Sequence, residues 1–232
     1  MATEQLVAVR PATPIDAAPP ARARLQPAPL YPVVKRVLDV VGALVLLVML
    51  APVLVAVAVA VRLDSRGPIL YRAERVGRFG RRFHVLKFRS MRADAGSAAH
   101  AAFLRQLMHE QTSCAVYKVP CDARITRVGA LLRRTSLDEL PQLWNVLRGE
   151  MSLVGPRPDV PYAVDDYAEW MRLRLHVPPG ITGLWQVSGR SRLSLLDMYR
   201  LDVDYAKRAS LRLDLVILLR TIPAVLTLDG AA

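Results

Sequence analysis

The chain has 232 residues, enough for one hydrophobic core with an appended element. Its formal net charge is +12 although 53% of its residues are hydrophobic, a combination that is uncommon in soluble enzymes and suits a protein that lies on an anionic membrane or binds phosphates. The two cysteines, Cys114 and Cys121, exclude a disulfide-rich scaffold, have no metal-ligand spacing, and are expected to be free thiols in a reducing cytoplasm.

Residues 1–30 are predicted to be a disordered spacer, because prolines alternate with alanine and arginine and leave no apolar period to bury. The next segment, 31–66, is predicted to be embedded in a membrane. Between Leu38 and Val61 the only charge is Asp39. A helix over this stretch would be about 36 Å long, enough for a hydrocarbon core of about 30 Å.

Two features of this segment argue against a straight span. Pro52 lies past its midpoint, where a proline removes a backbone hydrogen bond and kinks a helix. Basic residues flank both ends, and the positive-inside rule places both flanks in the cytoplasm. The flanking cations are Lys35, Arg36, Arg62, Arg66, Arg72 and Arg75. We therefore favour a re-entrant helix broken at Pro52, with a spanning helix and an external tail as the alternative.

Residues 67–232 are predicted to form a compact catalytic domain of the α+β class, mostly helical with a small β-hairpin. The hairpin falls within 69–92 and carries Lys87 on its second strand. A helical insertion over 94–117 and an amphipathic helix over 122–134 follow. The apolar but interrupted stretch 211–228 is predicted to be an amphipathic helix at the membrane interface.

The stretch 133–158 carries the candidate chemistry, with the sequence RRTSLDELPQLWNVLRGEMSLVGPRP. Asp138 and Glu139 are adjacent carboxylates. Ser136 and Glu139 have the spacing of a capping box, in which Glu139 would only satisfy a backbone amide. A helix that starts at Asp138 is the alternative, because it puts Pro141 in the first turn. Either start predicts both acids at a helix N-terminus, where the macrodipole stabilises their ionised forms.

A rigid corner follows this pair. Leu153 and Val154 predict a short strand, and Gly155 with two prolines predicts a stiff turn that fixes Arg157. A guanidinium held in one place suits bidentate binding of a phosphate, whereas a plain proline-rich turn would have no such role.

These motifs resemble a known family. SLDELPQLWNVLRGEMSLVGPRP, with KFRSMR upstream and PGITGLWQVSGRS downstream, is similar to the bacterial sugar transferases. These are the monotopic polyprenyl-phosphate phosphoglycosyl transferases that initiate exopolysaccharide, O-antigen and glycoprotein glycans. The resemblance covers roughly residues 35–226. It implies the re-entrant membrane helix and a compact, catalytic-domain-only version that lacks the large N-terminal membrane domain of longer members.

The resemblance also implies a reaction and a set of roles. The family transfers a hexose 1-phosphate from a UDP-sugar to undecaprenyl phosphate, releases UMP and uses Mg²⁺. Asp138 matches the nucleophile that forms a covalent aspartyl-phosphosugar intermediate, and Glu139 matches the metal-binding acid. Lys87, Arg133 and Arg157 match the phosphate-binding cations.

The expected location is the bacterial inner membrane, with the catalytic domain facing the cytoplasm, lipid as a partner and a homo-oligomer as an open possibility. Nucleic acid is not expected as a partner, because no recognition module accompanies the basic residues. Ala51 stands where the family often has serine, so a hydroxyl is not available at the kink. The alternative of a different class is a non-catalytic membrane adaptor that binds lipid or protein partners. The sequence does not reveal which sugar is transferred.

Overall fold

The computed structural model describes residues 30–92 and 124–226. The predicted disordered tail, the predicted helical insertion over 94–117 and both cysteines lie outside these residues.

The described residues form helices and short strands in an order that confirms the mostly helical α+β prediction. Eight α-helices and four strands occur in 30–92 and 124–226: α1 Tyr31–Met49, α2 Ala51–Asp64, β1 Leu70–Val76, β2 Arg82–Phe88, α3 Arg127–Thr135, α4 Gln142–Arg148, β3 Ser152–Val154, α5 Pro161–Asp165, β4 Gly180–Thr182, α6 Leu184–Ser188, α7 Leu195–Arg208 and α8 Leu211–Leu226.

The strands form two small sheets. β1 and β2 make the predicted antiparallel hairpin, with Leu70 opposite Phe88 and Val76 opposite Arg82. β3 and β4 pair in parallel, an arrangement that was not predicted from the sequence. A core of apolar side chains joins β2, α1 and α4, so that the hairpin, the first helix and the motif region share one interior. It contains Ala43, Phe83, Val85, Leu143, Val146 and Met151.

The predicted break in the membrane segment is confirmed as a 64° bend between α1 and α2. The helices separate at Leu50, and Pro52 lies in the first turn of α2. A proline is tolerated there because its missing N–H has no partner in a first turn. Within the described ranges no single helix is long and apolar enough to cross a membrane, whereas the bent pair passes this test by length and composition.

One face of α1 is attached to the rest of the protein by buried polar side chains. The ammonium of Lys35 donates to Asp214 of α8 at 2.8 Å and to the Val154 carbonyl of β3 at 3.0 Å. The hydroxyls of Tyr31 and Tyr205 donate to the same carboxylate at 3.0 and 2.6 Å. Helix α1, helix α8 and strand β3, which precedes the Pro-Arg-Pro corner at residues 156–158, therefore meet at one ion pair.

The next polar residues of α1 also bind the protein. Asp39 accepts hydrogen bonds from the Ser152 hydroxyl at 3.0 Å and the Leu153 amide at 2.9 Å. Arg36 donates to two carbonyl oxygens near the end of α4, at 2.6 and 2.8 Å. Lys35 and Arg36, two of the flanking cations counted by the positive-inside rule, thus both bind groups of the protein.

The end of α2 is held by a second buried cation. Arg89, just after β2, donates to the Ser65 carbonyl at 2.6 Å, to the Ser65 hydroxyl at 3.0 Å and to the Val61 carbonyl at 3.3 Å. It also donates to the carbonyl of Pro68. Carbonyls at a helix C-terminus have no partner within the helix, so this guanidinium satisfies them and ties α2 to the hairpin.

Much of the remaining surface of α1 and α8 is apolar and exposed, although α8 also exposes Arg212 and Arg220. The predicted amphipathic helix over 211–228 is confirmed over Leu211–Leu226, while its place at a membrane interface stays a prediction. The exposed apolar side chains on these two helices include Val37, Val41, Leu44, Val45, Val48, Leu215, Val216, Leu219 and Ile222.

The first testable prediction concerns the Lys35–Asp214 pair. Asp214→Asn should lower the free energy of unfolding by about 3–5 kcal/mol, because it leaves a buried ammonium without its counter-charge. The double variant Lys35→Met/Asp214→Leu should recover much of this loss. Both can be measured by chemical denaturation in detergent, followed by tryptophan fluorescence.

The matched control is Asp204→Asn, which removes an exposed carboxylate from its ion pair with Arg208. It should change the free energy of unfolding by less than about 1 kcal/mol. Equal effects of Asp204→Asn and Asp214→Asn would show that the buried pair is not a structural anchor.

Candidate active site

The two adjacent carboxylates lie on a single 3₁₀ turn, Leu137–Glu139, between α3 and α4. The predicted capping box is wrong. Ser136 adopts a left-handed conformation (φ 59°) that ends α3, and its side chain makes no capping hydrogen bond. The alternative start at Asp138 is also wrong, because Pro141 is the N-cap and α4 begins at Gln142.

Glu139 is held by two cations. Lys87 of β2 donates to Oε1 at 2.9 Å, and Arg157 donates to Oε2 at 3.0 Å and also to Oε1. Burial alone would raise the pKa of Glu139, but the charges of Arg157 and Lys87 outweigh it and hold that pKa well below its usual range. Glu139 is therefore ionised and fixed in position by side chains from two separate elements.

Asp138 has a different environment although it is the next residue. Its side chain is buried, with the residue 7% exposed. Within 30–92 and 124–226 no group donates a hydrogen bond to its carboxylate. Burial raises the pKa of Asp138 against the opposing charge of Lys87, and the neighbouring Glu139 raises it further. This carboxylate is oriented by the fold but is not engaged by a donor, as a nucleophile requires.

Lys87 and Arg133 complete the predicted set. Burial lowers the pKa of Lys87, while the Glu139 charge opposes that change. Arg133, in the last turn of α3, lies close enough for its charge to favour ionised Asp138. Among the described residues it donates no hydrogen bond to either acid. The structure thus brings all five predicted side chains together, with Arg133 at the edge of the group.

The Pro-Arg-Pro corner is set against a neighbouring backbone. Gly155 precedes it and donates to the Thr182 carbonyl at 2.9 Å. A side chain at Gly155 would lie 2.3 Å from the Pro178 carbonyl oxygen, so only glycine allows this approach. The parallel pairing of β3 with β4 therefore fixes where the corner begins, and with it the origin of the Arg157 side chain.

The acidic residues fit a magnesium ion that takes most of its ligands from a substrate. Among residues 30–92 and 124–226 no group of three or more His, Cys, Asp or Glu side chains could enclose a metal. Mg²⁺ commonly binds through one or two carboxylates together with substrate phosphates. Asp138 has uncommitted oxygens, and Oε2 of Glu139 accepts one hydrogen bond and keeps a lone pair.

Sequence reasoning missed several residues that hold this site. From the sequence, Lys35 and Asp39 were assigned to the membrane segment. In the structure Lys35 binds β3 and α8, and Asp39 binds β3. The spacing of Tyr31, Lys35, Asp39 and Ala43 at every fourth position is a signal that could have shown a buried helix face. Arg174, buried behind the corner, had no comparable signal, because its partners come from distant positions in the chain.

The chain matches known proteins over nearly its whole length. The family model described as "Bacterial sugar transferase" matches residues 30–228. The chain is 46% identical over 197 residues to the UDP-galactose-lipid carrier transferase of Erwinia amylovora, an alignment that covers 85% of this chain and 41% of that protein.

Two further relatives are covered over more of their length. The UDP-glucose:undecaprenyl-phosphate glucose-1-phosphate transferase of Caulobacter vibrioides is 43% identical, over 85% of this chain and 71% of that protein. Exopolysaccharide production protein ExoY of Sinorhizobium fredii is 39% identical, over 88% of this chain and 90% of that protein. The chain thus spans less than half of the Erwinia protein and most of ExoY.

The motif residues 133–158 and the hairpin that carries Lys87 lie inside the matched region. That region also includes α1, α2 and most of the chain that follows. With the model match across residues 30–228, the chain belongs to the bacterial sugar transferase family.

Proposed function

We propose that this chain transfers a sugar 1-phosphate from a UDP-sugar to undecaprenyl phosphate and so initiates an exopolysaccharide or related glycan. The observation that carries the proposal is the difference in environment between Asp138 and Glu139, the two adjacent carboxylates that we call the dyad. Glu139 is held by Lys87 and Arg157, while the adjacent Asp138 is buried with no donor on its carboxylate among the described residues. A phosphoryl group that passes between anionic partners needs such a nucleophile among positioned cations.

In the first step, an Asp138 carboxylate oxygen attacks the phosphorus that bears the sugar. The bond from this phosphorus to the bridging oxygen breaks, and UMP leaves with that oxygen and its electron pair. The product is a phosphosugar joined to Asp138 through an acyl-phosphate bond. Lys87, Arg133 and Arg157 would bind the phosphate oxygens, where negative charge builds up as the leaving group departs.

In the second step, a phosphate oxygen of undecaprenyl phosphate attacks the same phosphorus. The bond to Asp138 breaks, the carboxylate is regenerated, and the sugar is carried on a lipid diphosphate. The intermediate on Asp138 means that the water-soluble donor and the lipid acceptor need not be bound together. When bound by Asp138 or Glu139 and the donor diphosphate, Mg²⁺ would neutralise charge on the diphosphate.

The relatives' names support these substrates. One is named for UDP-glucose, undecaprenyl phosphate and glucose-1-phosphate transfer, and another for UDP-galactose and a lipid carrier. UDP-glucose and UDP-galactose are therefore the donors to test first.

The adaptor alternative has less support from the site. A protein that only binds lipid or partners through its surface has no use for a buried carboxylate beside a second, half-buried one. Burying such groups costs free energy unless each is paired, and Asp138 has no hydrogen-bonding partner in the described part of the chain. An unpaired carboxylate at this position lowers the free energy of unfolding but leaves a reactive group, as is common in enzyme active sites.

The bent helix pair supports a re-entrant topology in the inner membrane, with the active site at the cytoplasmic headgroup level. The start of α1 is attached through Lys35 to Asp214, and the end of α2 is attached through Arg89 to the Ser65 carbonyl. Both ends of the pair therefore contact the part of the protein that carries the active site. A spanning α1 with an external tail would have to break the first attachment.

Asp138→Asn should reduce UMP release from UDP-glucose or UDP-galactose by at least about 10³-fold, because an amide is a poor nucleophile. The measurement uses purified protein with Mg²⁺ and undecaprenyl phosphate. Asp204→Asn, a matched change of an exposed aspartate, should keep the native rate. Substantial turnover by Asp138→Asn would remove Asp138 as the nucleophile.

Radiolabelled sugar should become attached to the protein when the donor is supplied without acceptor lipid. The label should survive denaturation, be absent from Asp138→Asn, and move to the lipid fraction when undecaprenyl phosphate is added. A transferase that turns over normally but never retains label would act by direct displacement between donor and acceptor.

Single cysteines at positions 21 and 66, in a background without Cys114 and Cys121, should test the topology. Both should react in intact spheroplasts only with a membrane-permeant thiol reagent, because a re-entrant pair keeps both flanks in the cytoplasm. A cysteine at position 46, near the bend, is the control that should resist both reagents. Labelling of position 21 by an impermeant reagent would establish a spanning helix instead.

A further inference from the structure

A buried polar cluster lies directly behind the Pro-Arg-Pro corner, and nothing in the proposed reaction uses it. We call it the Arg174 cluster; its members are Asp159, Tyr167, Arg174, Tyr199 and Asp202. Arg174 belongs to the 3₁₀ segment Glu169–His176 and is 4% exposed, while Asp202 of α7 is 1% exposed. Charged side chains are rarely buried this completely unless their positions matter.

Arg174 links α7 to the backbone of the corner. Its Nε donates to Oδ2 of Asp202 at 3.1 Å, and its Nη2 donates to the same oxygen. Nη2 also donates to the backbone carbonyl of Arg157 at 2.6 Å. The planar guanidinium thus connects a fixed carboxylate to the peptide group whose side chain binds Glu139.

The other end of the corner is fixed by the same cluster. Nη1 of Arg174 lies 3.5 Å from Oδ2 of Asp159, the residue after the second proline. Tyr167 and Tyr199 donate to this oxygen at 2.9 and 2.6 Å. The Asp159 carbonyl accepts from the Val76 amide at the end of β1, at 2.9 Å. Arg174 therefore touches the corner on both sides of Pro158.

Burying the charged groups of this cluster costs free energy that an apolar core would not. Burial raises the pKa of Asp202 to about 6 in spite of the Arg174 charge beside it, and Oδ1 of Asp202 has no hydrogen-bond partner in the described ranges. Well-packed apolar side chains commonly replace such buried ion pairs without loss of stability. Stability alone therefore does not explain a guanidinium here, whereas a defined position for the Arg157 carbonyl does.

We propose that Arg174 is a positioning residue for the transfer reaction: anchored on Asp202, it fixes the Arg157 backbone so that the Arg157 guanidinium reaches Glu139 and the substrate phosphate. The proposal rests on the proposed function for its effect on rate. Its structural part, that Arg174 orders the corner, stands independently. Arg174 acts only through Arg157, because among the described residues it makes no hydrogen bond to Asp138 or Glu139.

The test is a double-mutant cycle with Arg174→Lys. This change keeps the positive charge but removes the planar guanidinium that binds Asp202 and the Arg157 carbonyl at the same time. In the native background Arg174→Lys should lower kcat/KM for UMP release by about 100-fold, since small misplacements of a reacting group have effects of this size. In an Arg157→Lys background the same change should lower it by less than about threefold. Equal losses in both backgrounds would overturn the proposal.

Arg200→Lys is the matched control, an exposed arginine on α7 paired with Asp197. It should keep the native kcat/KM. Should Arg174→Lys fail to fold, Arg174→Met/Asp202→Leu, which removes both buried charges together, replaces it in the cycle with the same expected result.

Hydrogen exchange of the full chain separates this proposal from the proposed function. In Arg174→Lys the hydrogen-bonded amides of Gly155 and Val160, and the Val76 amide that binds the Asp159 carbonyl, should exchange at least about tenfold faster. The amides of α1 and the other amides of the β1–β2 hairpin should keep their native rates. Faster exchange throughout, or native rates at Gly155, Val160 and Val76, would overturn the positioning role. A chain that transfers no sugar phosphate would refute the proposed function, and the exchange measurement would still decide the role of Arg174.

Discussion

The ion pair between Lys35 and Asp214 is the contact on which the arrangement of the protein depends. It joins α1 to α8, and the Lys35 ammonium also binds the Val154 carbonyl at the end of β3. The Pro-Arg-Pro corner starts one residue after this strand. A cation that sequence alone would assign to the membrane surface thus helps to set the geometry of the active site.

From β3 onward the positions of the candidate-site side chains are set by backbone contacts. Gly155 lies against the Pro178 carbonyl, and the Arg174 guanidinium holds the Arg157 carbonyl. The Arg157 side chain then binds Glu139, together with Lys87 from the hairpin. Each cation around the dyad comes from an element that is fixed elsewhere, so the site is organised before any substrate binds. Such preorganisation is what makes electrostatic stabilisation of a phosphoryl transfer effective.

Much of this arrangement could be predicted from the sequence. The hairpin and the bend near Pro52 follow from turn residues and proline chemistry. The motif resemblance named five side chains that the structure brings together, while their roles stay a prediction. The helix start at the dyad could not be predicted, because the spacing of Ser136 and Glu139 fits a capping box equally well. What decided the outcome was the left-handed backbone at Ser136 and the pull of Lys87 and Arg157 on Glu139, both of which depend on tertiary contacts. The Arg174 cluster was missed for the same reason.

Contacts at both ends of the α1–α2 pair add to the flanking charge in support of the proposed re-entrant topology. Lys35 and Arg36 at the first flank bind the protein as well as carrying charge. Attachment of both ends supports it more directly. With 14 residues, α2 is about 21 Å long, shorter than a hydrocarbon core of about 30 Å. In the re-entrant arrangement that we propose, Arg89 holds the end of α2, so the bend at Leu50 would enter the bilayer without reaching the far side, and the exposed apolar face of α1 would lie along the same path.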